Sequence, residues 1–342
     1  MSVTLKQIAE KAGVSQPLVT YALNGKPGVS ESTRRRILRI ASQMGYSPHD
    51  NRAAKSLAAR RHGTSVRTGV LALLLPPPSS PVNTVQDNPF FLPYFNGVEI
   101  EASRRDYDLF VCALRKDGLP RLIRSGEVDG VIGIHVPDAY EELKTLSLPT
   151  LSLGSEEIHT RALVPDEADG IRQAVQHLVK LGHKRIAYIG MNAFNDFAPA
   201  RKRLQAFRES LAEHNLSVDD DLIDATSPIM ERRAGAELLE RLMKKRKKFT
   251  ALVCYNDLLA MGAVDYLQHA GKSTPGDLAV VGFDGYAAEV GFQPKLTSVA
   301  FDRQAMGRYA VAMLCEQIEA DESTPPAPAE LFPTQLTQGE TT

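Results

Sequence analysis

Apolar positions in the first 45 residues recur at helical spacing and divide this stretch into three segments. The first opens with the capping-box pattern Thr-Leu-Lys-Gln from Thr4, which predicts a helix over residues 5–12. The turn Gly13-Val14-Ser15 leads to a second helix over 16–24, and Ser30 caps a third that ends at Gly45. The expected core residues of this three-helix unit are Leu5, Ile8, Ala9, Ala12, Leu18, Val19, Ala22, Leu23, Ile37, Leu38, Ile40, Ala41 and Met44.

The second helix is about two turns long and carries too few apolar residues to bury anything alone. A short helix held on another by a glycine turn is typical of a helix-turn-helix, which places one face in the major groove of DNA. The residues expected to face outward and reach base edges are Gln16, Pro17, Thr20 and Tyr21. Residues at helix ends suit phosphate contacts, namely Asn24, Ser30 and Thr33, to which we add Thr4 and Ser15. A helical hairpin without a role in DNA binding is the alternative.

Beyond residue 68 the pattern changes to short apolar runs separated by helical segments. This alternation predicts an α/β body with two parallel sheets. The runs expected to be strands are 69–75, 109–114, 130–134, 150–153, 185–190, 251–254 and 278–283. Between them, a helix over 170–181 is expected to bury Ile171, Ala174, Val175, Leu178 and Leu181. Two such lobes with a cleft between them are typical of proteins that close on a small molecule.

Composition limits the protein class. The chain has 342 residues, of which 43% are hydrophobic and 24% charged, enough for two or three folded domains. It has no run of eighteen apolar residues, and its first residues lack the apolar segment of a secretory leader, so we expect a cytoplasmic protein without membrane attachment. The three cysteines, Cys112, Cys254 and Cys315, are isolated and are expected to be buried, reduced thiols.

Charge is divided unevenly along the chain. Residues 1–62 contain eleven Lys/Arg and three Asp/Glu, a balance of +8. The whole chain has 40 basic and 41 acidic residues, so residues 63–342 contain 29 basic and 38 acidic residues and carry a formal net charge of −9. A basic head on an acidic body indicates that the head meets a polyanion, most simply nucleic acid. A merely solvated charged face is the alternative.

Signals for catalysis are weak. His135, His177 and His183 share no metal-ligand spacing, and the sequence has neither a GxxxxGK[ST] phosphate loop nor a GxSxG elbow. We therefore expect no enzyme activity, no metal and no cofactor. The second function class is a cytoplasmic small-molecule-binding protein without a DNA function, but that hypothesis leaves the basic head unexplained.

Several motifs together carry a resemblance to a known family. The stretch VTLKQIAEKAGVSQPLVTYALNGKPGVSESTRRRI and the later motifs NPFF, VDG, HLVKLGHKRIAYIG, YNDLLAMGA and VVGFDG, in this order, resemble the LacI/GalR family of bacterial transcription regulators. The resemblance implies an all-α helix-turn-helix head over 1–48, a hinge segment over 49–67, and a two-lobed, periplasmic-binding-protein-like body over 68–338. It also implies a homodimeric regulator, more often a repressor, that binds operator DNA.

The lobes and the hinge follow from the same resemblance. We expect an N-lobe of about 68–156 plus 292–320 and a C-lobe of about 161–288 plus 325–338, with crossings near 155–162, 287–295 and 318–330. In the family, the segment matching AAKSLAARR forms a hinge helix that enters the minor groove, which makes Ala54 and Leu57 candidate DNA contacts. About two extra residues precede this segment here.

The resemblance also implies which residues contact a small-molecule effector. The matching positions are Phe90, Phe91, Arg203, Met230, Asn256 and Asp284. An arginine fork and Asp or Asn side chains can hold adjacent hydroxyls while an aromatic face packs a ring, so a sugar or nucleoside-like effector is expected. Gly154 and Phe301 depart from the family pattern, and Met230 and Phe301 make the pocket more apolar than a plain hexose site needs. Arg203→Ala is expected to abolish the effector response and to leave the fold and operator binding intact.

Overall fold

The computed structural model describes residues 3–23, 28–44, 46, 67–77, 89–156, 160–192, 198–229, 231–320 and 329–342. These divide into two compact units, one with the N-terminal helices and residues 119–129, the other with residues 71–118 and 130–342. Asn24, Ala54, Leu57 and Met230 lie outside the described residues, as does Gly45. The roles assigned to them stay predictions.

The three predicted N-terminal helices are confirmed as α1 Leu5–Ala12, α2 Gln16–Leu23 and α3 Glu31–Gln43. The capping box closes the start of α1, because the Thr4 amide donates to Gln7 Oε1 at 2.8 Å and the Gln7 amide donates to Thr4 Oγ1 at 3.3 Å. Gly13 ends α1 in the left-handed conformation with φ 63°. The sequence signals at these helix ends were therefore sufficient.

A small core of its own holds these helices together. Ile8, Val19 and Ile37 are fully buried and pack with smaller residues of all three helices. Two predicted core positions are wrong. Leu38 is 44% exposed, because it follows Ile37 by one residue and so points about 100° away around α3. Leu18 is only partly buried and does not join the cluster.

The first sheet of the body consists of β1 Val70–Leu75, β2 Asp108–Ala113, β3 Gly130–Ile134, β4 Thr150–Leu153, β5 Arg161–Pro165 and β11 Glu330–Phe332. The order of these strands across the sheet is β11-β5-β4-β3-β1-β2. The interior pairs β1–β3, β3–β4, β4–β5 and β5–β11 are parallel. Fully buried leucine and isoleucine side chains on β1, β3 and β4 explain their continuous apolar runs.

The second sheet has the order β12-β10-β9-β8-β6-β7. Its strands are β6 Ile186–Met191, β7 Ile223–Ser227, β8 Ala251–Cys254, β9 Ala279–Asp284, β10 Thr297–Ala300 and β12 Gln335–Thr337. The prediction of a parallel sheet holds here for the pairs from β10 to β7, whereas β12 runs antiparallel to β10. The last strand of the chain thus closes the edge of this sheet.

Helices cover both sheets. They are α4 Leu92–Arg104, α5 Arg121–Arg124, α6 Tyr140–Thr145, α7 Glu167–Lys180, α8 Ala198–Glu213, α9 Arg232–Lys244, α10 Asp257–His269, α11 Tyr286–Glu289 and α12 Arg303–Ala320, with 3-10 turns at Pro89–Phe91, Pro137–Ala139 and Asp220–Leu222. Glycines allow close helix packing: a Cβ on Gly97 of α4 would lie 2.0 Å from the Gln304 carbonyl oxygen of α12. The α4–α12 pair is therefore close-packed through its backbones.

The chain passes between the two sheets at three junctions that differ from the predicted ones. It crosses at residue 166 between β5 and α7, at 301–302 between β10 and α12, and at 333–334 between β11 and β12. The predicted crossings near 155–162, 287–295 and 318–330 are displaced, since β5 belongs to the first sheet and β10 to the second. The family resemblance suggested those positions, whereas strand pairing determines them.

Helix α7 begins three residues earlier than the sequence pattern predicted. Asp166 caps it, because its carboxylate accepts the Asp169 amide at 2.9 Å. The helix ends at Lys180, and Leu181 is 49% exposed, so its predicted core role is wrong. The prediction of buried thiols fails for Cys112, which is half-buried on the edge strand β2, and holds for Cys254 and Cys315.

Candidate functional site

A cavity of about 60 Å³ lies where the strands of the two body sheets end. The carboxyl ends of parallel strands are the usual position of ligand sites in α/β sheets. His135 follows β3, Gly154 follows β4, Tyr255 follows β8 and Asp284 ends β9. The lining residues are Phe90, Phe91, Tyr94, His135, Gly154, Pro165, Glu167, Pro199, Arg203, Tyr255, Asn256, Leu258, Asp284, Tyr286 and Phe301.

Aromatic rings form much of the cavity wall. Phe90 and Phe91 lie in the 3-10 turn before α4, and their rings meet edge to face with centroids 5.4 Å apart. Tyr94, one turn into α4, packs against Phe90 at 5.9 Å. Phe301 contributes another ring from the junction that follows β10. Such walls suit a flat ring.

Arg203, on α8, is the polar centre of the site. Its Nε and Nη2 donate to the two carboxylate oxygens of Glu167, the latter at 3.3 Å, and Nη2 also donates to Asp284 Oδ1 at 3.2 Å. Nη1 donates to the Tyr255 carbonyl oxygen at 2.5 Å. Four of the five N–H groups of a guanidinium are thereby engaged. The predicted Arg203 fork toward a ligand is largely closed, and the arginine instead orients two carboxylates.

The cavity lining includes two carboxyl groups, those of Glu167 and Asp284, and one guanidinium, that of Arg203. Burial raises the pKa of Glu167 and of Asp284; the Arg203 guanidinium offsets this only partly at both carboxyls, and Arg303 also acts to lower the pKa of Asp284. Burial also acts against the Arg203 charge, but the two carboxylates outweigh it and hold the pKa of Arg203 well above its ordinary value. Two carboxylates facing one arginine offer acceptors to hydroxyl or amine donors on a ligand.

Local backbone features set the positions of the Asn256 and Asp284 side chains. Asn256 caps α10, with its side-chain oxygen accepting the Leu259 amide at 3.0 Å, so its amide nitrogen is the group left for a ligand. Asp284 has φ 100°, a conformation that non-glycine residues rarely adopt. Backbone strain of this kind clusters at functional sites.

Two further buried groups near the site have shifted pKa values. Burial lowers the pKa of His135 to about 4. Burial raises the pKa of Asp257 to about 7, although this carboxylate accepts the Ala287 amide at 2.8 Å and the Ser298 hydroxyl at 2.6 Å. Asp257 thus ties the start of α10 to α11 and β10.

The structure brings together the described residues that the sequence pointed to. Phe90, Phe91, Arg203, Asn256 and Asp284 line one cavity, and both departures from the family pattern, Gly154 and Phe301, line it as well. The cavity residues that sequence reasoning missed include Tyr94, His135, Glu167, Tyr255 and Tyr286. A signal existed for Glu167, because PDEADG directly follows a short apolar run and the first polar residues after a strand lie at the sheet edge.

The N-terminal unit presents a second candidate surface on α2. Gln16, Pro17 and Tyr21 are exposed, while Val19 and Ala22 on the opposite face are buried. Thr20 is partly buried, and its hydroxyl donates to the Gln16 carbonyl at 3.1 Å. Arg34 of α3 holds the end of α2, because its Nη1 donates to the Ala22 carbonyl at 3.1 Å. The core contacts of Val19 and Ala22 and the hydrogen bond from Arg34 thus fix which face of α2 points outward.

The predicted phosphate-contacting residues lie at helix ends. Thr4 and Ser15 are exposed before α1 and α2. Ser30 precedes α3, and its hydroxyl donates to Thr33 Oγ1 at 2.8 Å and accepts the Thr33 amide at 3.3 Å. Helix starts carry free amides and a positive dipole end, which suits phosphate oxygens.

Other kinds of site find little support in the described part of the chain. No group of three or more His, Cys, Asp or Glu side chains there could hold a metal ion. Among the described helices, none is both long and apolar enough to cross a membrane.

Comparison with known proteins finds matches for the N-terminal helices and for part of the body. Residues 4–49 match the family described as bacterial regulatory proteins, lacI family, and residues 175–342 match the periplasmic binding protein-like domain. A relative from Aliivibrio salmonicida, the HTH-type transcriptional repressor PurR, is 27% identical, with 92% of each chain covered. The PurR repressor of Vibrio cholerae is also 27% identical, over 93% of this chain and 92% of its own.

Solved structures show the same architecture. A transcriptional regulator CelR–cellobiose complex is 25% identical with a TM-score of 0.70, covering 99% of this chain and 100% of its own. The lac repressor dimer bound to operator and the anti-inducer ONPF has a TM-score of 0.72 at 20% identity, covering 100% and 99%. With its helix-turn-helix unit, its two-sheet body and these relatives, the chain belongs to the lacI family of bacterial regulatory proteins.

Proposed function

We propose that this protein is a transcriptional repressor that binds operator DNA through α2 and is controlled by a small molecule in the body cavity. The exposed face of α2 carries the proposal, because Gln16, Pro17 and Tyr21 are presented on a helix whose other face is fixed by a core. The balance of +8 over residues 1–62 supports attraction to the phosphate backbone. Base edges are read by the outward side chains and register is set by the helix ends.

Two copies of the chain would bind together. One small head covers little DNA, whereas two heads on half-sites about one helical turn apart double the contacts. The lac repressor structure named above is a dimer on its operator, which supports a homodimer on a pseudo-palindromic site. A protein that binds chromosomal DNA in this way acts in the cytoplasm.

The effector is a small ligand held by Glu167, Asp284 and Asn256 against Phe90 and Phe91, with Arg203 orienting the two carboxylates. A cavity of about 60 Å³ has room for roughly four to six water molecules, so one ring, such as a sugar or a base, is the appropriate size. The CelR structure contains cellobiose, which supports a hydroxyl-bearing ligand. The aromatic wall favours a flatter molecule than a plain hexose.

The cavity is placed to couple ligand binding to DNA binding. Glu167 lies one residue after the first chain crossing, and Phe301 lies within the second. A ligand that prefers one arrangement of the two sheets therefore changes the population of that arrangement, and its preference sets the size of the effect. We propose that this arrangement sets the spacing of the two heads.

Operator selection tests the DNA-binding part of this proposal. The full chain is incubated with random duplex DNA, the bound sequences are recovered, and the affinity of the selected site is measured at several salt concentrations. We expect a two-fold-related motif and a log–log slope of about −0.9 per phosphate neutralised. A slope near zero, or the absence of any enriched motif, would overturn the proposal.

A further inference from the structure

Arg303 is a buried cation that the site described above does not use. It is the first residue of α12, directly after the second crossing, and it is 2% exposed. Its Nη2 forms an ion pair with Glu289 of α11, whose side chain is 45% exposed. Among the described residues, no acceptor lies within hydrogen-bond reach of its buried Nε and Nη1 atoms. A buried charged donor without an acceptor is costly, so these atoms favour an acceptor that comes from a ligand.

The Arg303 guanidinium adjoins the aromatic wall of the cavity. Its central carbon lies 4.5 Å from the centroid of the Phe90 ring and 6.0 Å from that of the Phe301 ring. Both rings line the cavity. Arg303 does not itself line the cavity, but a substituent at the edge of a flat ligand that packs against Phe90 and Phe301 is the part of the ligand nearest to its open donors.

We infer that Arg303 is a specificity-determining residue of the effector site, which receives a carbonyl oxygen of a neutral, planar effector. The inference rests on the proposed function and adds the class of ligand to it. Hydroxyl or N–H donors of the same ligand meet the carboxylates of Glu167 and Asp284. The effector is therefore a flat ring with hydrogen-bond donors on one side and a carbonyl group on the other, and a polyhydroxylated saturated sugar does not fit this description.

The balance of charge favours a neutral ligand over a carboxylate. Arg203 and Arg303 bring two positive charges, and Glu167, Asp284 and Glu289 bring three negative ones. An anionic ligand would add a further negative charge beside Glu167 and Asp284, at a cost that the burial of these two carboxylates increases. A carbonyl group uses the open donors without that cost.

Binding of three related phenols to the full-length protein tests the inference by calorimetry. 4-Hydroxybenzamide carries a hydroxyl donor, a ring and a neutral carbonyl. 4-Methylphenol lacks the carbonyl, and 4-hydroxybenzoate replaces it with a carboxylate. We expect the amide to bind at least about tenfold more tightly than 4-methylphenol, because a hydrogen bond to a charged group gives a factor of this size or more, and more tightly than the benzoate.

Substitution of Arg303 shows whether this preference depends on it. Arg303→Met keeps an apolar side chain beside the two rings. Glu289, the ion-pair partner of Arg303, is partly exposed, and Asp284, on which the Arg303 charge also acts, keeps its ion pair with Arg203. We expect the amide and 4-methylphenol to bind this variant within about twofold of each other, and Arg303→Lys to keep part of the preference. Arg308→Met, on the same helix, is the matched control and should keep all of it.

Three results would overturn the inference: equal binding of the amide and 4-methylphenol to the wild-type protein, an unchanged ratio in Arg303→Met, or no binding of any of the three phenols. The comparison of the amide with 4-methylphenol on the wild-type protein needs no variant, so it tests the inference even if Arg303→Met does not fold. Operator affinity of the wild-type protein is measured in parallel. If one of these three results is found and operator binding is intact, the proposed function stays in place. Only the role of Arg303 and the class of ligand are then removed.

Discussion

Arg203 and Glu167 form an ion pair in the body cavity with almost no access to solvent, at 4% and 5% exposed. The same guanidinium reaches Asp284, so one arginine serves two buried acids. Removing one partner of a buried pair leaves an uncompensated charge, which costs more than the pair itself contributes. Arg203 is therefore needed for the fold as well as for the site.

Arg203→Ala should lower the free energy of unfolding by about 3–5 kcal/mol, because Glu167 and Asp284 would stay buried without their cation. Urea denaturation measures the change. This prediction differs from the expectation from sequence that the substitution leaves the fold intact. As a control, Arg172→Ala removes an exposed arginine paired with Asp169 at 3.2 Å and should cost less than about 1 kcal/mol. A variant as stable as the wild-type protein would contradict the importance given to the pair.

Asp257 and His135 should give opposite pH dependences of stability. Asp257 has a pKa of about 7 in the folded protein and about 3.9 when unfolded, so the folded state holds the extra proton between these values and stability falls as the pH rises. His135 has a pKa of about 4 when folded and about 6.5 when unfolded, so the unfolded state holds the extra proton and stability rises with pH. Each contributes a slope of at most about 1.4 kcal/mol per pH unit.

Single substitutions should separate these two slopes. Relative to the wild-type protein between pH 4 and pH 6.5, Asp257→Asn should make stability rise more steeply with pH. His135→Asn should make stability fall with rising pH over the same range. Asparagine tolerates the φ of 49° at this position. Urea midpoints across this pH range are the measurement. If both variants ran parallel to the wild-type protein, neither group would titrate as described.

Gly97→Ala should disrupt the packing of α4 on α12, since the added Cβ would lie 2.0 Å from a backbone oxygen that cannot rotate away. We expect a loss of about 1–3 kcal/mol in the free energy of unfolding. Asn96→Ala, at the adjacent exposed position, is the control and should change it by no more than about 0.5 kcal/mol. If Gly97→Ala were as stable as Asn96→Ala, α4 and α12 could move apart at little cost, and their close packing would not depend on Gly97.

Much of this architecture could be read from local sequence signals. The capping box at Thr4, the glycine turn at Gly13 and the apolar runs of the strands are local, and the elements follow them. The crossings could not be found in that way, because pairing of β5 with the first sheet and of β10 with the second depends on partners far along the chain. The same reason applies to the ion pair of Glu167 with Arg203: the local sequence signal places Glu167 at the sheet edge, but its partner lies 36 positions away along the chain.

Tyr21 should read base identity without setting overall affinity for DNA. It is 45% exposed on the outer face of α2, and its ring and hydroxyl can contact base edges where an alanine cannot. Tyr21→Ala should weaken discrimination at one or two base pairs by roughly 1–3 kcal/mol while the salt slope stays the same. Tyr21→Phe separates the hydroxyl from the ring. If selection from random DNA returned the same motif for wild-type protein and Tyr21→Ala, Tyr21 would not read bases.

The central claim is that one chain links a ligand in the body cavity to operator DNA at the N-terminal helices. The most direct test uses the selected operator and a ligand found by thermal-shift screening, and measures operator affinity with and without ligand and ligand affinity with and without operator. We predict that each affinity changes by the same factor, between about 5-fold and 150-fold, as linkage requires. A ligand that binds the cavity tightly and leaves operator affinity unchanged would contradict the account.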